Sequence, residues 1–282
     1  MTFSVIFVNY NSSNKIEKSI RSIQKTNNLK MMDFIVVDNS RNFKNHTEID
    51  IKIIVNTENI GFGPAVNKGV MLTNSDCVCV INPDTIFETE FIEKVGRALK
   101  DKSIGILTLY QKNLEGTLIP THGRFPSIFE TISWVIPTNR FTKIFKNKYA
   151  LLQIPDGNVK NVKNIAGAFM AFRKATFEQL GGFDEKYFLY YEDTDLSFKS
   201  LKFGYRNLIL DSNTYVKHEV GGSDESKKSN KEFMTHMLYS RLIFLRKWRK
   251  RLLILNKMIL IIYIGIKRIK IDKSILLDLL RV

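Results

Sequence analysis

The first hundred residues alternate between short β-branched runs and segments of helical period, and this alternation constrains the fold more than any other feature. The runs fall at residues 3–8, 34–37, 51–55 and 77–81. Helical stretches lie between them at 12–25 and 64–72. The first carries Ile16, Ile20 and Ile23 on one stripe, with Ser12 and Ser13 as N-caps; the second places Pro64 where a first turn tolerates proline. Such alternation predicts an α/β domain around a mainly parallel sheet covered on both faces. Ligands of these sheets bind beyond the carboxyl ends of the strands. Those ends are Asn9-Tyr10-Asn11, Asp38-Asn39-Ser40, residues 56–59 and Asn82-Pro83-Asp84. All four are polar and two carry an acid, a repetition that packing does not require.

The 282 residues suffice for one large α/β domain, with or without an appendage. Cys77 and Cys79 lie two apart in an apolar run, so on a strand both face one way, as buried thiols in a reducing compartment. The N-terminus reads as a first strand and not as a leader, which predicts a cytosolic protein. The net charge of +15 is lopsided: residues 241–282 hold twelve basic and two acidic side chains, a local +10 that leaves +5 for the rest. A nucleic-acid-binding protein would suit the total, but the excess sits in the tail and no helix-turn-helix, RNP or zinc pattern accompanies it. From 111 to 163 the pattern loosens, and long loops are expected. Order returns with a strand-like run at 162–172, helices at 174–180 and 192–203, and strands at 206–210 and 215–220.

Several residues could carry chemistry. Asn82 and Asp84, separated by a proline at a strand end, can point together at one hard cation, or can simply cap a turn. Glu192, Asp193 and Asp195 open a helix, where the dipole stabilises acids and keeps a general base ionised. His218 precedes Gly221-Gly222 and could complete a site of carboxylate and phosphate oxygens; a capping residue is the bland alternative. His46, His122 and His236 have no supporting context. The glycines of residues 59–69 form neither a Walker loop nor a full dinucleotide fingerprint, though they would let backbone amides approach a phosphate or base.

In order, the blocks VNYN, VVDNS, NIGFGPAVNKG, INPDT, GAFMAFRKATFEQLGGFDEKYFLYYEDTDLSFK and KHEVGGS resemble glycosyltransferase family 2, over about residues 2–245. Within it the chain looks most like bacterial rhamnosyltransferase-type enzymes of surface-polysaccharide assembly. The resemblance implies a GT-A fold, a Rossmann-like mixed sheet flanked by helices, and inverting transfer from a nucleotide-diphosphate sugar. It implies a GT-A domain over 1–245, with a nucleotide half at 1–110 and an acceptor half at 111–245, ahead of a basic amphipathic tail at 246–282. By position, Asp38 reads the pyrimidine base, with Val8, Asn9, Tyr10 and Asn39 around it. Gly61, Asn67 and Lys68 belong to the nucleotide-side loop. Asn82 stands for the first acid of an Asp-x-Asp element, so Asp84 bears most of the metal role, with His218 beside it and Mn2+ or Mg2+ as the ion. Asp193 matches the base, with Glu192 adjoining. A nucleotidyltransferase would share the fold and the metal, but VNYNSS lacks the basic glycine-rich loop expected of one. An inactive sugar-binding homologue stays open.

The implied acceptor is a lipid-linked glycan at the inner face of the cytoplasmic membrane. Residues 258–266 are about half of the ~20 a membrane span needs, so the tail is expected to lie on the surface, with Trp248 at headgroup level. Packing of the tail on the main domain, or on a second subunit in a homodimer, is the competing expectation.

Overall fold

The computed structural model describes residues 1–137, 139, 142–143, 152–153, 158–219, 230–267 and 273–280. Gly221-Gly222-Ser223 of the KHEVGGS block lie outside the described residues.

The central strand β1 (Phe3–Asn9) pairs in parallel with β2 (Met32–Asp38) on one side and β4 (Cys77–Ile81) on the other, and β3 (Ile51–Val55) extends the sheet past β2. Beyond β4 the direction changes. Strand β12 (Phe169–Arg173) is antiparallel to β4 and to β6 (Ile104–Thr108); β13 (Arg206–Ile209) then runs parallel to β6, and β10 (Lys160–Val162) antiparallel at the edge. The eight-stranded sheet is therefore mixed. The parallel half is the half in which strands and helices mostly alternate along the chain, because parallel neighbours need a long crossover: a helix lies between β1 and β2 and another between β3 and β4, while residues 39–50 carry β2 to β3 without one.

Helices cover both faces. On one, α1 (Ser13–Thr26) and α3 (Ile92–Leu99) pack Ile16, Ile20, Ile23, Val95 and Leu99 against Phe3, Val5, Phe7, Cys77 and Cys79. Each aliphatic side chain buried this way contributes about 1.5–3 kcal/mol. Both thiols are buried on that face, and burial pushes Cys77 up to about 11, which leaves it inert. On the other face, α2 (Phe62–Met71), α5 (Lys174–Gln179) and α6 (Glu192–Lys202) cover Ile6, Val8, Ile35 and Val80.

Two expectations fail here, each for a physical reason. The run at 162–172 is not one strand: it divides into β10, the short β11 (Asn164–Ile165) and β12. Residues 166–168 leave the ladder to make other bonds, Gly167 donating to Asp193 and Ala168 accepting from the Asn82 amide. The stretch from 111 to 163 holds a helix, α4 (Ile128–Val135), capped by Ser127, whose Oγ accepts from the Glu130 amide at 3.2 Å. The spacing Ser127-x-x-Glu130 is a capping-box signature and was the signal to read.

The C-terminal residues form α7 (Asn230–Trp248), α8 (Leu253–Lys267) and α9 (Lys273–Leu280). Residue 245 lies within α7. Met234, Leu238 and Leu242 of α7 cluster with Leu260 and Leu279, and Trp134 of α4 packs against them. Trp248 is not free for a headgroup layer: its indole N–H donates to Asp195 Oδ1 at 2.6 Å, and its ring lies 4.9 Å from that of Phe198. No helix among the described residues is long and apolar enough to cross a membrane.

Candidate active site

At the carboxyl ends of β1 and β2 the register pairs Asn9 with Asp38. Asn9 donates through Nδ2 to Asp38 Oδ1 at 2.8 Å, while its Oδ1 accepts from the Ser12 amide at 2.9 Å, so it ties the strand end to the start of α1. Burial works to raise the Asp38 pKa. The amides of Phe43 and Ser40 and the side chains of Asn9 and Ser40 outweigh it, and the carboxyl sits below its ordinary value. A stable anion there, paired with Asn9 in the strand register, provides a fixed acceptor for a polar ring edge.

Next to it runs a chain of amides. Asn39 donates to Asn59 Oδ1 at 3.0 Å and to the Gly61 carbonyl at 3.1 Å, and it accepts from Asn56 at 2.8 Å; Lys68 in turn donates to Asn56 at 2.7 Å. Gly61 enters α2 at φ 91, and a Cβ there would meet the Phe188 carbonyl oxygen at 2.4 Å, so only glycine fits. Asn67 faces elsewhere. Its amide clasps the backbone of Phe183 in both directions, at 2.9 Å each, and so holds residues 182–185 against α2.

Asp84 follows β4, and strand pairing brings His218 to it: β14 (Tyr215–His218) is antiparallel to β5 (Thr85–Phe87), with His218 opposite Thr85. His218 Nε2 lies 3.2 Å from Asp84 Oδ1, and its Nδ1 is 3.1 Å from Gln111 Oε1. A ring held at its far nitrogen by a carbonyl oxygen presents the other nitrogen as a fixed ligand. One carboxylate and one imidazole suit a divalent cation that takes its remaining oxygens from a substrate. Among the described residues there is no group of three or more His, Cys, Asp and Glu that could hold a metal ion.

Glu192 and Asp193 open α6 after Tyr190 and Tyr191, both held in the left-handed region at φ 67. Two aromatic residues there are strained, at about 1–3 kcal/mol each. Asp193 accepts from the Gly167 amide at 2.8 Å and the Thr194 amide at 2.6 Å. Burial raises both carboxyls. Glu192, 6% exposed and next to Asp193, reaches about 8, with Oε2 lacking a hydrogen bond. Asp193 is raised by burial as well, against the amides of Thr194 and Gly167, which favour its anion. The two carboxyls titrate as a pair, and the only one of them that accepts backbone amides from its surroundings in this way is Asp193.

Consecutive residues join these two corners. Gly167 binds Asp193 and Ala168 binds Asn82, the latter at 3.0 Å, so Asp193 and the Asn82–Asp84 arm hang from one short backbone segment.

A sequence profile described as glycosyl transferase family 2 matches residues 4–181, more than half of the chain. The chain belongs to this family. The match ends before Glu192, so in this family 2 chain the roles of Glu192, Asp193 and His218 rest on position and geometry. The chain is 24% identical over 198 residues to N-acetylglucosaminyl-diphospho-decaprenol L-rhamnosyltransferase of Mycobacterium tuberculosis, covering 64% of this chain and 63% of that protein. It is 27% identical over 208 residues to a low-salt glycan biosynthesis hexosyltransferase of Haloferax volcanii, covering 70% of this chain and 61% of that one. The chain thus matches less than two thirds of either relative's length. A solved mannosyltransferase from Pyrobaculum calidifontis, in complex with GDP-Man and Mn2+, superposes with a TM-score of 0.59 at 14% identity, over 93% of this chain and 73% of that one. At that identity the likeness speaks for the fold, which is GT-A.

Proposed function

We propose that this chain is an inverting glycosyltransferase that moves a sugar from a nucleotide-diphosphate donor to an acceptor hydroxyl. The observation that carries the reading is the shared tether: Gly167 and Ala168 hold the Asp193 base and the Asn82–Asp84 arm side by side. Asp38, Asn9, Asn39 and Tyr10 take the base and ribose, beside the turn at Asn59 to Gly61 that bonds to Asn39. Asp84 and His218 are the residues that would hold Mn2+ or Mg2+. The chemistry that a bound divalent cation supplies is neutralisation of charge on the departing diphosphate. Asp193 removes the acceptor proton, and its oxygen partner attacks the anomeric carbon opposite the leaving group, so one displacement inverts the centre. Glu192 keeps its proton and spares the site a second negative charge.

Rhamnose is the favoured sugar and a lipid-linked glycan the favoured acceptor, both from the similarity to the mycobacterial rhamnosyltransferase. The test is nucleotide release from dTDP-rhamnose, UDP-N-acetylglucosamine, UDP-glucose and GDP-mannose, with and without Mn2+. Metal-dependent release from one of them supports the reading; no release from any, with an acceptor lipid supplied, sinks it.

The reading extends to an anionic membrane surface. On α8, Ile254, Met258, Ile262 and Ile266 are exposed at four-residue spacing beside Leu255, and Lys250, Arg251 and Lys267 are exposed at the ends of that row. Two copies meeting there would oppose two tails of net +10, whereas acidic lipid complements them. Full-length protein is expected to sediment with phosphatidylglycerol vesicles at low salt, less so at high salt, and less after Met258→Glu with Ile262→Glu. Indifference of the wild type to the vesicles at low salt, or dimerisation lost in that double variant, removes the membrane from the proposal.

A further inference from the structure

Arg241 lies in the middle of α7 and is fully buried. Its guanidinium contacts five residues, one of which, Tyr191, adjoins the acid pair. Nη2 lies 2.6 Å from Glu130 Oε2 and also donates to Thr131 of α4; Nη1 donates to the Tyr191 hydroxyl at 3.0 Å; the plane lies 4.6 Å from the Trp134 ring centre. Asn256 of α8 accepts a further, longer bond at 3.3 Å. A fully buried ion pair is a weak stabiliser compared with well-packed apolar side chains, so energy of folding alone is a poor account of it. What this one grips is more informative. Tyr191 is the left-handed residue directly before Glu192, and its carbonyl accepts the Asp195 amide at 2.8 Å, the bond that starts α6.

The same helix grips the far side of the acid pair. Lys247 donates to Asp195 Oδ2 at 3.0 Å, and Trp248 donates to its Oδ1. Glu192 and Asp193 thus sit between two anchors, Tyr191 and Asp195, both fastened to α7. Freed of its hydroxyl bond, Tyr191 would have reason to leave φ 67, and the turn that presents Asp193 to Gly167 would rotate with it. The donor side has no such dependence: Asp38, Asn39 and Asn9 bond among themselves and to their own loops.

We infer that Arg241 is a positioning residue for transfer: through the Tyr191 hydroxyl it fixes the strained entry to α6 and thereby the place of the Asp193 carboxylate. This rests on the reading of Asp193 as the base. The strain at residues 190–191 is then part of the site, held by a side chain about fifty residues away in sequence.

The test uses the full chain with two mild variants. Tyr191→Phe keeps the ring and loses the hydroxyl; Arg241→Lys keeps a cation for Glu130 and loses the forked donor. Turnover is measured with whichever donor of the panel above is consumed, well below each variant's melting temperature. Tyr191→Phe is expected to lower kcat about tenfold, the scale of one charged hydrogen bond. Arg241→Lys is expected to lower it about 10²-fold, the scale of a misplaced reacting group. Donor KM should stay within about twofold in both. The double variant should be no worse than Arg241→Lys, because the two groups act as one unit. Wild-type kcat in both variants, additive losses, or losses that match the unfolded fraction overturn the proposal. If Asp193→Asn keeps its turnover, the base assignment fails instead, and the two failures are distinct. Carbon-13 NMR titration of the glutamate carboxyls needs no donor: the ionisation near pH 8 should move in Tyr191→Phe, and an unmoved titration counts against Arg241.

Discussion

The donor side and the acceptor side of this site are built in opposite ways. The donor side is assembled from strand ends and the loops attached to them, by short side-chain bonds such as Asn9 to Asp38 and Asn56 to Asn39. There Asp38 is satisfied by the amides of Ser40 and Phe43 and by the side chains of Ser40 and of Asn9 at the neighbouring strand end. The acceptor side is assembled from afar. Asp193 depends on Gly167, and the helix it opens is fastened at Tyr191 and Asp195 to residues 241–248. A self-contained region tolerates change elsewhere. A region held from afar transmits it.

That contrast can be broken most directly at the base. Asp193→Asn keeps the shape of the side chain and removes the base, so kcat should fall by about 10²–10⁴ while donor affinity stays within a few-fold. More than about a tenth of wild-type turnover in that variant would move the role to Glu192. On the donor side, Asp84→Ala should cost metal-dependent donor binding about 10–100-fold by calorimetry, with His218→Ala milder because the carboxylate remains. Unchanged donor affinity in Asp84→Ala would take that residue out of the site.

A pH profile sharpens the comparison. Burial, then the charge of Asp193, raises Glu192 to about 8. Below that pH Glu192 is neutral; above it an added negative charge faces the anionic donor. So kcat/KM should descend through about pH 8, and Glu192→Gln should lack that limb. A profile identical in the two proteins would mean that another group titrates. The smallest effect belongs to Gly61→Ala, where the added methyl meets a carbonyl oxygen and the backbone is left-handed. A loss of about 1–3 kcal/mol in urea unfolding is expected, and a neutral result would show that the loop can shift away from Phe188.

The same difference explains what the sequence disclosed. Asn9, Asp38 and Asp84 were legible because a strand followed by polar residues marks a carboxyl end, and four such ends in a parallel sheet share one edge. The Gly167 amide was not legible, because a backbone donor has no letter of its own and its apolar neighbours read as one continuous strand. Arg241 was lost in a run counted only for its charge. Trp248 was read for its amphipathic ring, and nothing local announces that its partner is Asp195, 53 residues earlier. Antiparallel β12 was equally hidden, since the direction of a strand is set by its connections and not by its composition.

The placement of Trp248 has an optical consequence. The chain has two tryptophans, and the other, Trp134, stacks beneath Arg241 and lies 5.5 Å from Tyr263. Both indoles therefore stand in the seam between the C-terminal helices and the acid pair. Emission excited selectively at the indoles of the unlabelled protein reports on that seam, so a spectral shift on adding donor, acceptor lipid or vesicles locates the disturbance before any substitution is made.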